Sequence, residues 1–364
     1  MKIAYLSEGD IHTAKWLNSL SDMGHEIHLI VMEPLLETFV ADITVHILPF
    51  RRPFGALLNI FSIRSLLHRL NPDVFHVHGA SANGLLGRLS GYNPSILSVL
   101  GGDILLFPNK SRIHKMIVVQ NLLFYDWVCS TSKIMAECIS TLCGPLRDLT
   151  VIPFGIDTRH FSPAVDRTQI NNNITIGTIK AVRPIYGTDI LVKAFNNARQ
   201  KLMKNFPALA NRMRLLIVGP GSNKTKTEIQ SLISELHIEN CVKMVDWIPN
   251  SKVPDTLRKI DIFVAMSRSE SFGVAVLEAS ACGVPVVVSN VGGLPEVVRD
   301  RVTGFIVGNE NITSCAEVIV KLVTDKNLCE KMGVAGRKFV QDYFEWNVCI
   351  TQILEVYQKV LMKV

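Results

Sequence analysis

From Lys2 to Val307, short apolar runs alternate with amphipathic stretches of helical length, and that rhythm narrows the choice of fold more than any other property of the chain. Strands that recur with a helix-length crossover between them pair in parallel, and parallel sheets bury both faces under helices. The expected class is therefore α/β, with doubly wound, Rossmann-like sheets. In the first half the strand candidates are Lys2 to Leu6, Glu26 to Met32, Thr44 to Leu48, Asp73 to Val77, Ser95 to Leu100, Trp127 to Ser130 and Thr150 to Ile152. Helices are expected between them, for example over Thr13 to Met23 and Ala56 to Leu70. The rhythm lapses over 157–173, which contains Pro163 and ends Asn171-Asn172-Asn173. It restarts with Ile174 to Ile179, Arg214 to Val218, Val242 to Val245, Ile262 to Met266, Val284 to Val288 and Phe305 to Val307. A chain of 364 residues is too long for one ordinary core, so two domains are expected, 1–160 and 174–343, with a linker at 161–173. The last helix, within 344–364, starts near Trp346 and is long enough to cross back to the first domain.

An apolar share of 48% with 19% charged residues describes an ordinary soluble globular protein. Its net charge of +6 is uneven: residues 1–167 hold 14 Lys/Arg and 14 Asp/Glu, leaving 24 basic and 18 acidic residues for the rest. A basic second half suits a polyanionic nucleotide ligand or an anionic membrane surface, although scattered solvated lysines account for much of such a surplus. No helix carries a dense basic stripe and no aromatic-basic repeat occurs, so nucleic acid is not an expected partner. The eight cysteines stand singly, without a C-x-x-C pair or histidines at zinc spacing, so no metal site is expected. They read as reduced thiols of a cytoplasmic protein. Glu8 and Asp10 stop the apolar run Ile3 to Leu6 too soon for a signal peptide, and Pro285 and Gly292-Gly293 break the uncharged stretch 279–295, so no membrane span is expected.

The stretch that carries chemistry runs from Glu270 through Ser271, Phe272, Gly273 and Val274 to Glu278, directly after the strand candidate Ile262 to Met266. Open parallel sheets hold ligands beyond the carboxyl ends of their strands. Gly273 lets the backbone approach a ligand closely, and a helix starting there offers the amides of 272–275 to a diphosphate, so no metal is required to hold the phosphates. Glu278 falls about one turn into that helix, where a carboxylate can take hydrogen bonds from the vicinal hydroxyls of a ribose. Glu270, in the loop, faces the sugar. An isolated Glu-x7-Glu is ordinarily a pair of solvated or capping charges, and only its place after a buried strand favours a nucleotide sugar.

Other segments fall in a telling order. Pro153-Phe154-Gly155-Ile156-Asp157 precedes Phe161-Ser162-Pro163, Ile217-Val218-Gly219-Pro220-Gly221 ends a strand, and Gly283-Val284-Pro285-Val286-Val287 and Gly292-Gly293-Leu294-Pro295-Glu296 follow the acidic motif. In the first half stand Gly9-Asp10, Asp73-Val74-Phe75-His76-Val77-His78-Gly79 and Gly101-Gly102-Asp103. Together, and over most of the chain, these resemble the retaining glycosyltransferases of family 4, whose GT-B architecture places two Rossmann-like domains across a cleft.

The resemblance implies roles by position. Glu278 would hold the donor ribose, Glu270 the transferring sugar, and the backbone of Phe272, Gly273 and Val274 the sugar and distal phosphate. Gly9 and Asp10 resemble the turn beneath the diphosphate, Gly219 the second domain's glycine turn, and Asp103 the acceptor-side turn. His78 is placed toward the cleft as a catalytic candidate, although a hydrogen-bonded structural histidine fits the same pattern, and His76 shares its alternation. One departure stands out. Where the family has Arg and Lys before a glycine, this chain reads Lys180-Ala181-Val182-Arg183-Pro184-Ile185-Tyr186-Gly187, with Ile185 where a related subset carries Lys. Lys180 would take the catalytic phosphate-neutralising role, with Arg183 and Arg268 in support.

The implied reaction is metal-free, cofactor-free transfer from a nucleoside-diphosphate sugar to a saccharide or lipid-linked saccharide, as in cell-surface polysaccharide or glycolipid synthesis. The base stays open, with a UDP-sugar favoured. The alternatives are a silent nucleotide-sugar-binding subunit and a GT-B sugar-nucleotide 2-epimerase. Arg51-Arg52-Pro53-Phe54-Gly55-Ala56-Leu57-Leu58 and Lys110 to Lys115 mix basic with apolar residues in a way that fits peripheral contact at the inner face of a membrane, and equally fits ordinary packed helices.

Overall fold

The computed structural model describes residues 1–9, 11–34, 42–51, 54–164 and 172–363. Asp10, the Arg52-Pro53 pair and most of the expected linker lie outside the described residues. The chain divides into two compact units, one formed by Met1–Gly155 with Asn347–Val364 and the other by Ile156–Trp346.

In the first unit the described strands are β1 (Lys2–Leu6), β2 (Glu26–Val31), β3 (Ile43–Ile47), β4 (Val74–His78), β5 (Ser95–Ser98), β6 (Trp127–Ser130) and β7 (Leu149–Val151). They form one parallel sheet in the order β3-β2-β1-β4-β5-β6-β7. Alternation along β1 sends Ala4 and Leu6 into a core shared with Phe75, Val77 and Leu97, which the helices Ile60–Leu70, Ala82–Ser90, Arg112–Phe124 and Lys133–Cys143 cover. Ile3 and Tyr5, equally buried, take the other face. The helix Trp346–Leu361 buries Ile350, Ile353, Val356, Tyr357 and Val360 along one stripe, and its Tyr357 hydroxyl meets that of Tyr5. Lys363 closes the end, ion-paired with Asp148 and 4.6 Å over the Trp127 ring.

In the second unit the described strands β8 (Ile174–Ile179), β9 (Met213–Val218), β10 (Val242–Val245), β11 (Ile262–Ala265), β12 (Val286–Ser289) and β13 (Gly304–Val307) order as β10-β9-β8-β11-β12-β13, again parallel. Strand order reverses at β8, so the crevice next to β11 is the expected ligand position of such a sheet. On one face Ile176, Leu215, Ile217, Val264 and Val287 pack with Leu191, Phe195, Ile229 and Ile319. The helix Val274–Ala281 packs against Lys326–Tyr343.

Cys129, Cys138, Cys143, Cys241 and Cys315 are free thiols. Among the described residues no helix is long and apolar enough to cross a membrane.

Candidate active site

Within the second unit the carboxyl ends of β8 and β11 bring Lys180 and Glu270 into direct contact. Lys180 Nζ is ion-paired with Glu270 Oε2, and their side chains are only 12% and 13% exposed. Ser267 Oγ donates to the same carboxylate oxygen at 3.2 Å, while Ser289 Oγ donates at 2.6 Å to the Ser267 carbonyl. The Lys180 ammonium also lies 4.4 Å over the Tyr186 ring. Burial pushes this lysine down to about 7, against the pull of its carboxylate partner.

The loop that carries Glu270 is held by backbone packing. Gly292 and Gly293 lie against the Glu270-Ser271 backbone, where a Cβ on either would collide with a carbonyl, and Gly293 donates its amide to the Glu270 carbonyl at 3.0 Å. Gly219 lies as close to the Lys180 carbonyl, at a φ of +152° that only glycine adopts readily. Two glycine turns thus fix the backbone beneath the two charged groups.

Phe272 is buried, its ring 5.8 Å from that of Phe344, so its side chain serves as an anchor worth roughly 2–3 kcal/mol and only its backbone is available to a ligand. Gly273 caps the helix Val274–Ala281 from a left-handed conformation, and no side chain caps the helix start. Val274 and Glu278 are half-buried on the first two turns. Arg183 and Arg268 line one groove with Thr188 and Asp189. Arg268 is committed there: it forks onto Asp189 at 2.9 and 2.8 Å, and also reaches Glu310 and the Pro184 carbonyl. The hydrogen bonds it donates to Asp189 hold its guanidinium charged even more firmly than usual. Arg183 is exposed, and among the described residues its guanidinium has no ion-pair partner.

In the first unit His78 is 7% exposed at the end of β4, with Nδ1 3.3 Å from Thr13 Oγ1. It lines a cavity with Trp16, Ser98, Leu100, Thr131 and Phe154. Thr131 Oγ1 is buried there without a hydrogen-bond partner among the described residues. Two residues before His78, His76 bonds Tyr5 and Tyr357 through Nδ1 at 2.9 and 2.8 Å and Ser98 through Nε2 at 2.7 Å. Burial, with His78 nearby, drives the His76 imidazole well below the usual histidine range, so it is a neutral structural group. Asp103 binds backbone: it accepts from the amides of Ala80 at 2.7 Å, Gly101 at 2.8 Å and Leu100 at 3.1 Å, while burial pushes its carboxyl up against their pull. Gly9, at a φ of +70°, turns the chain toward the helix Ile11–Asp22.

The Lys180–Glu270 contact was not foreseen, because ninety positions separate the partners and only strand order brings them together. Thr131 was missed too; its place just past the end of β6 was the available signal.

Residues 165–339 match the family model described as glycosyl transferases group 1, and residues 2–132 match that of glycosyl transferase 4-like proteins. N-acetyl-alpha-D-glucosaminyl L-malate synthase of Bacillus anthracis is 26% identical over 362 residues, covering 94% of this chain and 91% of that one. A GDP-mannose-dependent alpha-(1-6)-phosphatidylinositol monomannoside mannosyltransferase of Mycolicibacterium smegmatis is 29% identical over 245 residues, covering 64% and 62%. Among solved structures, sucrose-phosphate synthase of Thermosynechococcus elongatus superposes with a TM-score of 0.83 at 20% identity over the whole of both chains. Anabaena Alr3699/HepE in complex with UDP also gives 0.83 at 20% identity, covering 99% of this chain and all of that one. With both halves matched and two parallel α/β sheets of this order, the chain belongs to the group 1, family 4-like glycosyltransferases of GT-B fold.

Proposed function

We propose that this glycosyltransferase moves a sugar from a nucleoside diphosphate to an acceptor hydroxyl with retention of configuration and without a metal. The observation that carries this reading is the buried Lys180–Glu270 pair beside a helix start that no side chain caps. A diphosphate arriving at Gly273 meets helix amides and can draw the Lys180 ammonium away from Glu270, freeing that carboxylate to bind hydroxyls of the transferring sugar. Glu278 holds the ribose, and Arg183 adds charge at the phosphates. The donor is a UDP-sugar, a choice supported by the UDP bound in the similar Anabaena structure. A saccharide or lipid-linked saccharide is the acceptor, and His78 is the first unit's candidate for binding it.

In the step itself the acceptor oxygen bonds to the anomeric carbon on the face from which the diphosphate leaves. The bond from the anomeric carbon to the phosphate oxygen breaks, and the acceptor proton passes to that leaving oxygen. Lys180 and the helix start stabilise its developing charge. No protein base is required, and Glu270 positions the sugar.

Replacing Glu270 by Gln tests this assignment. Removing one partner of a buried pair ordinarily costs several kcal/mol, but a lysine with a pKa of about 7 can shed its proton, so the fold is expected to survive. Turnover should fall roughly 100-fold or more with the melting temperature little changed. Unchanged turnover rejects the role. A silent donor-binding subunit is the second reading, favoured by Ile185 where a related subset of the family carries Lys; transfer or donor hydrolysis by the isolated chain excludes it.

A further inference from the structure

Between Asp42 and Asp126 the sequence carries eight Lys/Arg against two acids, Asp73 and Asp103, and Asp103 is buried among backbone amides; from outside the stretch Glu33 faces Arg51 at 4.0 Å, leaving that arginine 71% exposed. The same stretch, under a quarter of the chain, holds ten of the nineteen large apolar side chains that stand exposed among the described residues. Phe54 is 70% exposed, Leu57 57% and Phe61 81%. On the helix Arg112–Phe124, Ile113, Met116 and Leu123 are 64%, 59% and 54% exposed along one stripe, flanked by exposed Arg112 and Lys115. These two groups belong to one side of the sheet. The helices Ile60–Leu70, Ala82–Ser90 and Arg112–Phe124 share a single core, with Ala82–Ser90 packed against both of the others.

We propose that this side of the first unit docks on an anionic lipid bilayer. Outward-pointing phenylalanine and leucine among arginines and lysines match what an interfacial surface needs: apolar groups to enter the acyl boundary and cations to pair with headgroups. A second copy of the chain is a poor occupant, because a two-fold contact would set the positive surface against itself. The inference rests on surface residues alone and not on the proposed reaction, so either can fail without the other.

The test is co-sedimentation of the full chain with phosphatidylcholine vesicles, with and without phosphatidylglycerol. Binding is expected only with phosphatidylglycerol and should weaken as salt rises. The substitutions Phe54→Ser and Phe61→Ser should each weaken binding roughly tenfold, and Arg51→Ser and Lys115→Ser about fivefold each. Val334→Ser, which removes an equally exposed apolar side chain from the second unit, should change nothing. All five side chains are exposed, so unchanged thermal melts are expected. No binding to either vesicle, equal binding to both, or full binding by the Phe variants overturns the proposal. So does a dimer in light scattering that Phe61→Ser dissociates, because a second copy would then occupy the face.

Discussion

In the proposed reaction Lys180 is the residue on which the chemistry turns. It must be protonated to attract a diphosphate, yet burial sets its pKa at about 7, close to working pH. As pH rises through 7 the ammonium loses its charge, so the affinity for UDP should fall above that pH. An arginine stays charged throughout, so Lys180→Arg should bind UDP with a flatter pH profile. Calorimetric titration across pH 6–9 measures both, and identical profiles would show that Lys180 does not meet the phosphates. At this scale the sequence was informative about residue identity and uninformative about pairing. The acids and Lys180 stood out in their motifs, but nothing in their spacing showed that Lys180 faces Glu270, nor that Arg268 is engaged by Asp189 and Glu310. Pairing depends on strand order, which local sequence does not encode.

Elements were legible where periodicity governs and less so where a side chain competes with the backbone. The strand expected to reach Leu100 ends at Ser98, because Asp103 takes the Leu100 amide. The helix expected over Ala56 to Leu70 is broken at Asn59, whose amide group bonds both backbone groups of Phe50, at 2.7 and 3.1 Å. The strand expected from Val284 starts at Val286, since Pro285 has no amide to donate, although its carbonyl accepts from Phe263. In the proposed reaction the turn 184–186 bears on the phosphates: Ile185 stands there half-buried where a related subset of the family has lysine, and Arg268 links the turn, through the Pro184 carbonyl, to Asp189. Ile185→Lys adds a second cation at the proposed phosphate position, so the donor KM should drop roughly tenfold. A donor KM that stays the same or rises places the diphosphate elsewhere.

For the whole molecule, the alternation of strands and helices was enough to give two doubly wound sheets, because burial on both faces of a parallel sheet forces continuous apolar strands that are easily read. Acceptor choice was not legible. Cavities are assembled from distant elements: His78 and Thr131, at the ends of two strands, meet Trp16 of the helix Ile11–Asp22 in one of them, and local sequence does not encode that meeting. In the proposed function a nucleoside diphosphate seats beside Lys180 and Gly273. A thermal-shift comparison of UDP, GDP, ADP and dTDP measures whether it does. UDP at about 100 times its dissociation constant should stabilise the protein by roughly 2.7 kcal/mol, and the shift should shrink in Lys180→Met. If no nucleoside diphosphate raises the melting temperature, or the Lys180→Met shift equals that of the wild type, no donor phosphate is held at Lys180.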